Sequence, residues 1–202
     1  MPIRGVIFDM DGTVVSQELD FEAIRREIGL PPATPLLEAL RQLPPEGRHA
    51  AQTILDRHEQ LAAEKARLLD GVLDFIHWLD ARRIRRALLT RNSRQSVETV
   101  LRRHRLDFHP IVARDDGPPK PDPSGIWLIC KEWNLPPCDV LMIGDYLYDI
   151  DAGRRAGTKT ALVTHGRDWP FAGLADYCFS NFCPLPNFPH DWFLSEQQTE
   201  HP

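Results

Sequence analysis

Gly5-Val6-Ile7-Phe8-Asp9-Met10-Asp11-Gly12-Thr13 decides the fold: an apolar, strand-like run ends in two carboxylates one residue apart and then a glycine turn. In a strand, positions i and i+2 share a face, so this reading sets Asp9 and Asp11 side by side where the strand runs out. Two like charges at that separation are costly unless a cation lies between them. A hard divalent ion with oxygen ligands meets the need, and Gly12 allows a turn tight enough for backbone amides to face an anion.

Beyond Thr13 the strand pattern stops. Residues from about Leu19 to Leu69 read as helices broken by Pro31, Pro32, Pro35, Pro44 and Pro45. Phe21, Ile24 and Ile28 share one helix face, and a longer helix starts near Glu46. From Gly71 onward helix and strand alternate: Val72 to Arg83 helical, Arg86 to Thr90 a strand, Ser93 to Arg105 a helix, Pro110 to Ala113 a brief strand. Pro123 to Trp133 is then a helix, Val140 to Ile143 a buried strand, Asp149 to Ala156 a helix and Thr160 to Val163 a strand. Such alternation predicts a parallel sheet covered on both faces, with ligands beyond the carboxyl ends of its strands. The tail, with Trp169, Phe171, Phe182, Trp192 and Phe193 among Pro184, Pro186 and Pro189, reads as irregular chain packed on the body, plus a short strand around Tyr177 to Phe179. Its aromatics complete a core or, alternatively, mediate dimerisation.

Three more segments fall where a strand gives way to a loop. Leu88-Leu89-Thr90-Arg91-Asn92-Ser93 puts a hydroxyl and an amide at a strand end before a helix, which suits an anion or a helix cap supplied by Asn92 or Ser93. Pro118-Pro119-Lys120-Pro121-Asp122-Pro123 stiffens the loop around one lysine, either a site cation or a solvated charge. Met142-Ile143-Gly144-Asp145-Tyr146-Leu147-Tyr148-Asp149 ends an apolar strand with glycine and two aspartates four apart, which share a face if a helix begins nearby. Asp149 taken alone also fits a helix-start acid. Together, four carboxylates, a lysine and a threonine converge on one sheet edge.

Length and composition restrict the function classes. The chain of 202 residues, 42% hydrophobic, suits one compact domain or one domain with a modest insertion. A net charge of −5 argues against a dedicated nucleic-acid binder, and Arg82, Arg83, Arg85, Arg86, Arg102, Arg103 and Arg105 read as solvated helix faces. No apolar stretch approaches the roughly 18–20 residues that span a membrane, and a core-like strand begins within two residues of the N-terminus, so a cytoplasmic location is expected. Cys130, Cys138, Cys178 and Cys183 lack metal-site or disulfide-framework spacing and are expected to be reduced thiols.

These motifs resemble the haloacid dehalogenase-like superfamily of phosphotransferases, in particular its phosphoglycolate-phosphatase-like members with a small helical cap. Asp9-Met10-Asp11-Gly12-Thr13 matches the first family motif, Thr90 the second, Lys120 the third, and Gly144-Asp145 with Asp149 the fourth. The resemblance implies a Rossmann-like three-layer α/β/α core with a parallel sheet, residues 1–15 and 70–202, and a small all-helical cap, residues 16–69, inserted after the first strand. It also implies a Mg²⁺-dependent phosphatase acting on a small phosphorylated metabolite. Asp9 is then the nucleophile that forms an aspartyl-phosphate and Asp11 the general acid and base. Thr90 and Lys120, with Asn92 and the amides of Met10 and Gly12, bind the phosphate. Asp9, Asp11 through its backbone carbonyl, and Asp145 hold Mg²⁺, with Asp149 a water-mediated ligand or the partner of Lys120. An acid at position 11 argues against dehalogenation. A phosphomutase of the same family and a catalytically silent binding module are the alternatives. Arg25, Arg26, Arg41, His49 and His58 are the expected selectors of substrate, with no membrane or nucleic-acid partner and a monomer or weak homodimer.

Overall fold

A computed structural model describes residues 2–189 and 191–193. The chain divides into two compact units, one of residues 1–16, 67–91 and 107–202, the other of residues 17–66 and 92–106.

The first unit is built on a six-stranded sheet. Its strands are β1 (Gly5–Phe8), β2 (Arg85–Leu89), β3 (Ile111–Val112), β4 (Val140–Gly144), β5 (Lys159–Val163) and β6 (Tyr177–Phe179). The spatial order is β3-β2-β1-β4-β5-β6, and every neighbouring pair is parallel. The expected parallel α/β sheet is therefore present, including the short strand in the tail. The chain winds outward from β1 through β2 to β3, then returns to the other side of β1 to lay down β4, β5 and β6. Strand order thus reverses between β1 and β4, where open α/β sheets bind their ligands. Phe8 lies in register with both Leu88 and Ile143, so the carboxyl ends of the three central strands are level.

Alternation along β1 assigns its two faces. Ile7 packs with Ile126, Ile129 and Trp133 of α6 (Ser124–Trp133) and with Ala152 and Ala156 of α7 (Leu147–Ala156). Phe8 turns the other way and meets Phe75 of α4 (Val72–Ala81) at 5.9 Å and Phe108 at 5.6 Å, both edge-on. The tail completes this second face. Phe182 and Phe188 lie 5.2 and 5.8 Å from Phe75, and Phe193 lies 5.0 Å from Trp78. Burial of Phe182, Phe188, Trp192 and Phe193 makes these tail rings part of the core.

The second unit is helical: α1 (Phe21–Ile28), α2 (Leu36–Gln42), α3 (Pro45–Lys65) and α5 (Arg94–His104). The Asp20 carboxylate caps α1 by accepting from the Ala23 amide at 2.9 Å. Pro45 occupies the first turn of α3, where its missing N–H costs nothing. Ile24, Leu36, Leu37, Leu40, Ala51 and Leu55 form the apolar centre. The segment Asn92–Leu106 groups with these helices rather than with the sheet. Buried Glu59 on α3 accepts from the Ser93 amide at 3.0 Å, and Gln60 meets Thr99 at 3.2 Å.

One reading of the arginines is corrected. Arg85 and Arg86 open β2 instead of lining a helix, because the chain turns out of α4 at Arg83, with φ 55°. Arg85 donates to the Trp133 carbonyl, and Arg86 donates to the Asp107 carbonyl at 2.7 Å and pairs with Asp80. Among the described residues no helix is long and apolar enough to cross a membrane. The four cysteines are free thiols.

Candidate active site

The centre of the site is a buried lysine. Lys120 lies on the loop before α6, 2% exposed, and its ammonium has three acceptors: Asp9 Oδ1 at 2.5 Å, Asp149 Oδ1 at 2.6 Å and the Leu89 carbonyl at 2.7 Å. Three donors therefore meet three oxygens, the condition under which a buried charge is tolerated. Burial acts to lower the Lys120 pKa, but the two carboxylates outweigh it and hold the group above its ordinary value, so it is a fixed cation.

The carboxylates reach this point from two strand ends, those of β1 and β4. Asp9 follows β1, its amide extending the ladder to Ile143 O at 2.9 Å. Asp145 follows β4, and Asp149 lies in the first turn of α7, where its Oδ2 accepts from the Tyr146 amide at 3.1 Å. Oxygens of Asp9, Asp145 and Asp149 all lie within 4.8 Å of one another. Burial, with repulsion from Asp149, pushes Asp9 up to about 6 despite the opposing pull of Lys120. Burial, then the charges of Asp9 and Asp149, push Asp145 up to about 8. The arrangement is over-supplied with negative charge for one ammonium. A compact set of oxygen donors that carries uncompensated charge fits a hard divalent cation.

Glycines make the crowding possible. A Cβ on Gly12 would lie 2.1 Å from Asp145 Oδ2, and Gly12 has φ +74°, a conformation costly for any other residue. A Cβ on Gly144 would lie 2.1 Å from Asp149 Cγ. Each glycine thus makes room for a carboxylate of the cluster.

Strand alternation does not carry Asp11. β1 ends at Phe8, and residues 10–15 form a turn in which Met10 O accepts from the amides of Thr13, Val14 and Val15. Asp11 is placed by that turn, near enough for its charge to raise Asp145 further. The Met10 amide is directed at the Asp9 carboxylate. The Gly12 amide, expected to face a phosphate, instead donates to Val15 O at 2.7 Å and is committed to the turn itself. Thr90 is buried at the end of β2, its amide bonded to Val112 O at 3.0 Å. Asn92 is buried in the helical unit, next to Ser93, which caps α5. Of the residues expected to select substrate, Arg25 donates to Thr34 O at 2.8 Å and pairs with Glu22, while His58 meets Glu27 at 2.9 Å.

Two residues make contacts that were not legible in the sequence. His165, just beyond β5, places Nε2 2.7 Å from the Gly12 carbonyl, 153 residues away. Arg91 stacks on Tyr148 at 4.2 Å and donates to the Lys120 carbonyl. Only their position after strand ends, where such sheets bind ligands, could have drawn attention to them.

Three clustered carboxylates, two of them bridged by a buried lysine, thus stand at the switch point of a parallel sheet. The family model of haloacid dehalogenase-like hydrolases matches residues 16–163. The chain belongs to the haloacid dehalogenase-like hydrolases.

Relatives of this hydrolase include the N-acetylmuramic acid 6-phosphate phosphatase of Pseudomonas aeruginosa, 31% identical over 82% of this chain and 84% of that protein. Phosphoglycolate phosphatase 1 of the same organism is 29% identical over 81% of this chain and 70% of its own. The crystal structure of a hydrolase from Pseudomonas syringae superposes with a TM-score of 0.75 at 20% identity, over 88% of this chain and 94% of that one, a likeness of fold. The family assignment makes the chain an enzyme of the hydrolase class.

Proposed function

We propose that this hydrolase is a Mg²⁺-dependent phosphatase that cleaves a small phosphate monoester through an aspartyl-phosphate. The observation that carries the reading is Lys120 held between Asp9 and Asp149, with an oxygen of Asp145 inside the same 4.8 Å cluster. Relatives named as phosphatases of N-acetylmuramic acid 6-phosphate and of phosphoglycolate support the substrate class.

In this reading an oxygen of Asp9 attacks phosphorus as the ester P–O bond breaks, and the departing alkoxide takes its proton from Asp11. Asp11, now a carboxylate, accepts a proton from the water that attacks the aspartyl-phosphate, releasing inorganic phosphate and restoring Asp9. Lys120 offers a fixed positive charge beside the transferred group, and Thr90 offers a hydroxyl at the neighbouring strand end. Asp9, Asp145 and the Asp11 carbonyl would hold Mg²⁺, with Asp149 behind them. When bound, the ion supplies charge that relieves repulsion between the Asp9 carboxylate and the phosphate.

The test is phosphate release from a generic aryl phosphate with and without Mg²⁺, in the wild type and Asp9→Asn. Magnesium-dependent turnover confined to the wild type is the expected result, since an amide is a poor nucleophile. Equal rates in the two proteins would overturn the mechanism.

A further inference from the structure

A wall of aromatic rings in the sheet unit borders the carboxylate centre, and phosphoryl transfer has no use for it. Tyr146 directly follows Asp145, and its amide is bonded to Asp149. Its ring stands edge-on to Tyr148 at 5.3 Å, Trp169 at 5.8 Å and Phe171 at 5.7 Å. Trp169 and Phe171, from the loop after β5, lie 5.1 Å apart. Arg91, stacked on Tyr148 and bonded to the Lys120 carbonyl, ties the wall to the loop that carries the site's ammonium.

Two features separate this cluster from ordinary core packing. Tyr146 remains 44% exposed, whereas Phe8, Phe75 and Phe182 of the other aromatic cluster are at most 1% exposed. Among the described residues the buried Trp169 indole nitrogen has no hydrogen-bond partner, so its ring is placed for its apolar surface and not for its polar tip. The result is a tyrosine braced by three rings, open to solvent and covalently next to a residue of the carboxylate cluster.

We propose that Tyr146, braced by Tyr148, Trp169 and Phe171, is the subsite for the organic part of the substrate, and that the preferred substrates are phosphate monoesters of ring-bearing alcohols. The C–H groups of a pyranose and the edge or face of an arene both complement a braced aromatic ring, whereas a short acyclic ester leaves it uncovered. The proposal rests on the phosphatase reading and names its substrate class.

The experiment measures kcat/KM for phosphate release, with Mg²⁺, from glucose 6-phosphate, benzyl phosphate and glycerol 3-phosphate. The proteins are the full-length wild type, Tyr146→Phe, Tyr146→Leu and Tyr146→Ala; the leucine variant keeps apolar volume should alanine fail to fold. The wild type and Tyr146→Phe are expected to favour at least one ring ester over glycerol 3-phosphate by about threefold to tenfold, in line with one aromatic contact. That ratio is expected to fall toward one in the leucine and alanine variants. Preference for glucose 6-phosphate alone identifies a sugar ring, and for benzyl phosphate alone an arene. Turnover with no ring preference, or a preference unchanged by Tyr146→Leu, overturns the subsite. No release from any ester by the wild type overturns the phosphatase reading, and the subsite with it.

Discussion

At Lys120, one side chain neutralises part of a carboxylate cluster and also sets its spacing. Its ammonium touches Asp9 and Asp149, which come from different strand ends. Lys120→Ala should therefore reduce kcat by on the order of 10²-fold or more, as when a single oxyanion-type donor is lost. It should also destabilise the protein by about 3–5 kcal/mol, because two buried carboxylates lose their partner. Steady-state kinetics and urea denaturation check the two effects separately. Asp145 has the opposite character: burial and the charges of Asp9 and Asp149 outweigh the pull of Lys120. Asp145→Asn should raise the melting temperature of the metal-free protein by removing that repulsion, yet shrink the upward shift expected for the wild type with Mg²⁺. Differential scanning fluorimetry with EDTA and with Mg²⁺ measures both. A variant that melts lower without metal and still responds fully to Mg²⁺ contradicts this account.

Among the elements, α5 separates what a local pattern can reveal from what it cannot. Its apolar spacing and the Ser93 cap made the helix legible, and the structure has Ser93 accepting from the Ser96 amide at 3.4 Å. Its grouping with the helical segment was hidden, because it rests on packing against α3, where buried Glu59, 34 residues earlier, accepts from the Ser93 amide. A glutamate in the middle of a long polar helix carries no sequence mark of burial. Glu59→Ala should cost about 1–3 kcal/mol by leaving a buried amide without its acceptor, whereas Glu59→Gln, which keeps a carbonyl oxygen, should cost less. Denaturant titration of the two variants decides this, and equal losses would show that the carboxylate charge matters more than its place as acceptor. β1 teaches the converse lesson. Its apolar run marked the strand, but alternation was extended two residues too far, because the turn held by Met10 O begins before Asp11.

For the whole molecule, the aromatic tail couples distant chain to the core under β1. Phe182 is 1% exposed and lies 6.5 Å from Phe8, the residue before Asp9 in sequence, and 5.2 Å from Phe75. Phe182→Ala should lower stability by about 3–5 kcal/mol, as core phenylalanine truncations do, and thermal denaturation followed by circular dichroism measures it. A loss within about 0.5 kcal/mol would mean that the tail is an ornament on the sheet.

Apolar periodicity and glycine turns are local, and each motif lies within about ten residues, so the parallel α/β sheet and the acidic strand ends were legible in the chain alone. Folding in three dimensions was needed to bring Lys120 between Asp9 and Asp149, commit the Gly12 amide to its own turn, group Asn92–Leu106 with the helices and carry His165 to the Gly12 carbonyl. The long-range contacts join residues separated by up to 153 positions, and they depend on strand order and side-chain packing that no short stretch of chain encodes alone.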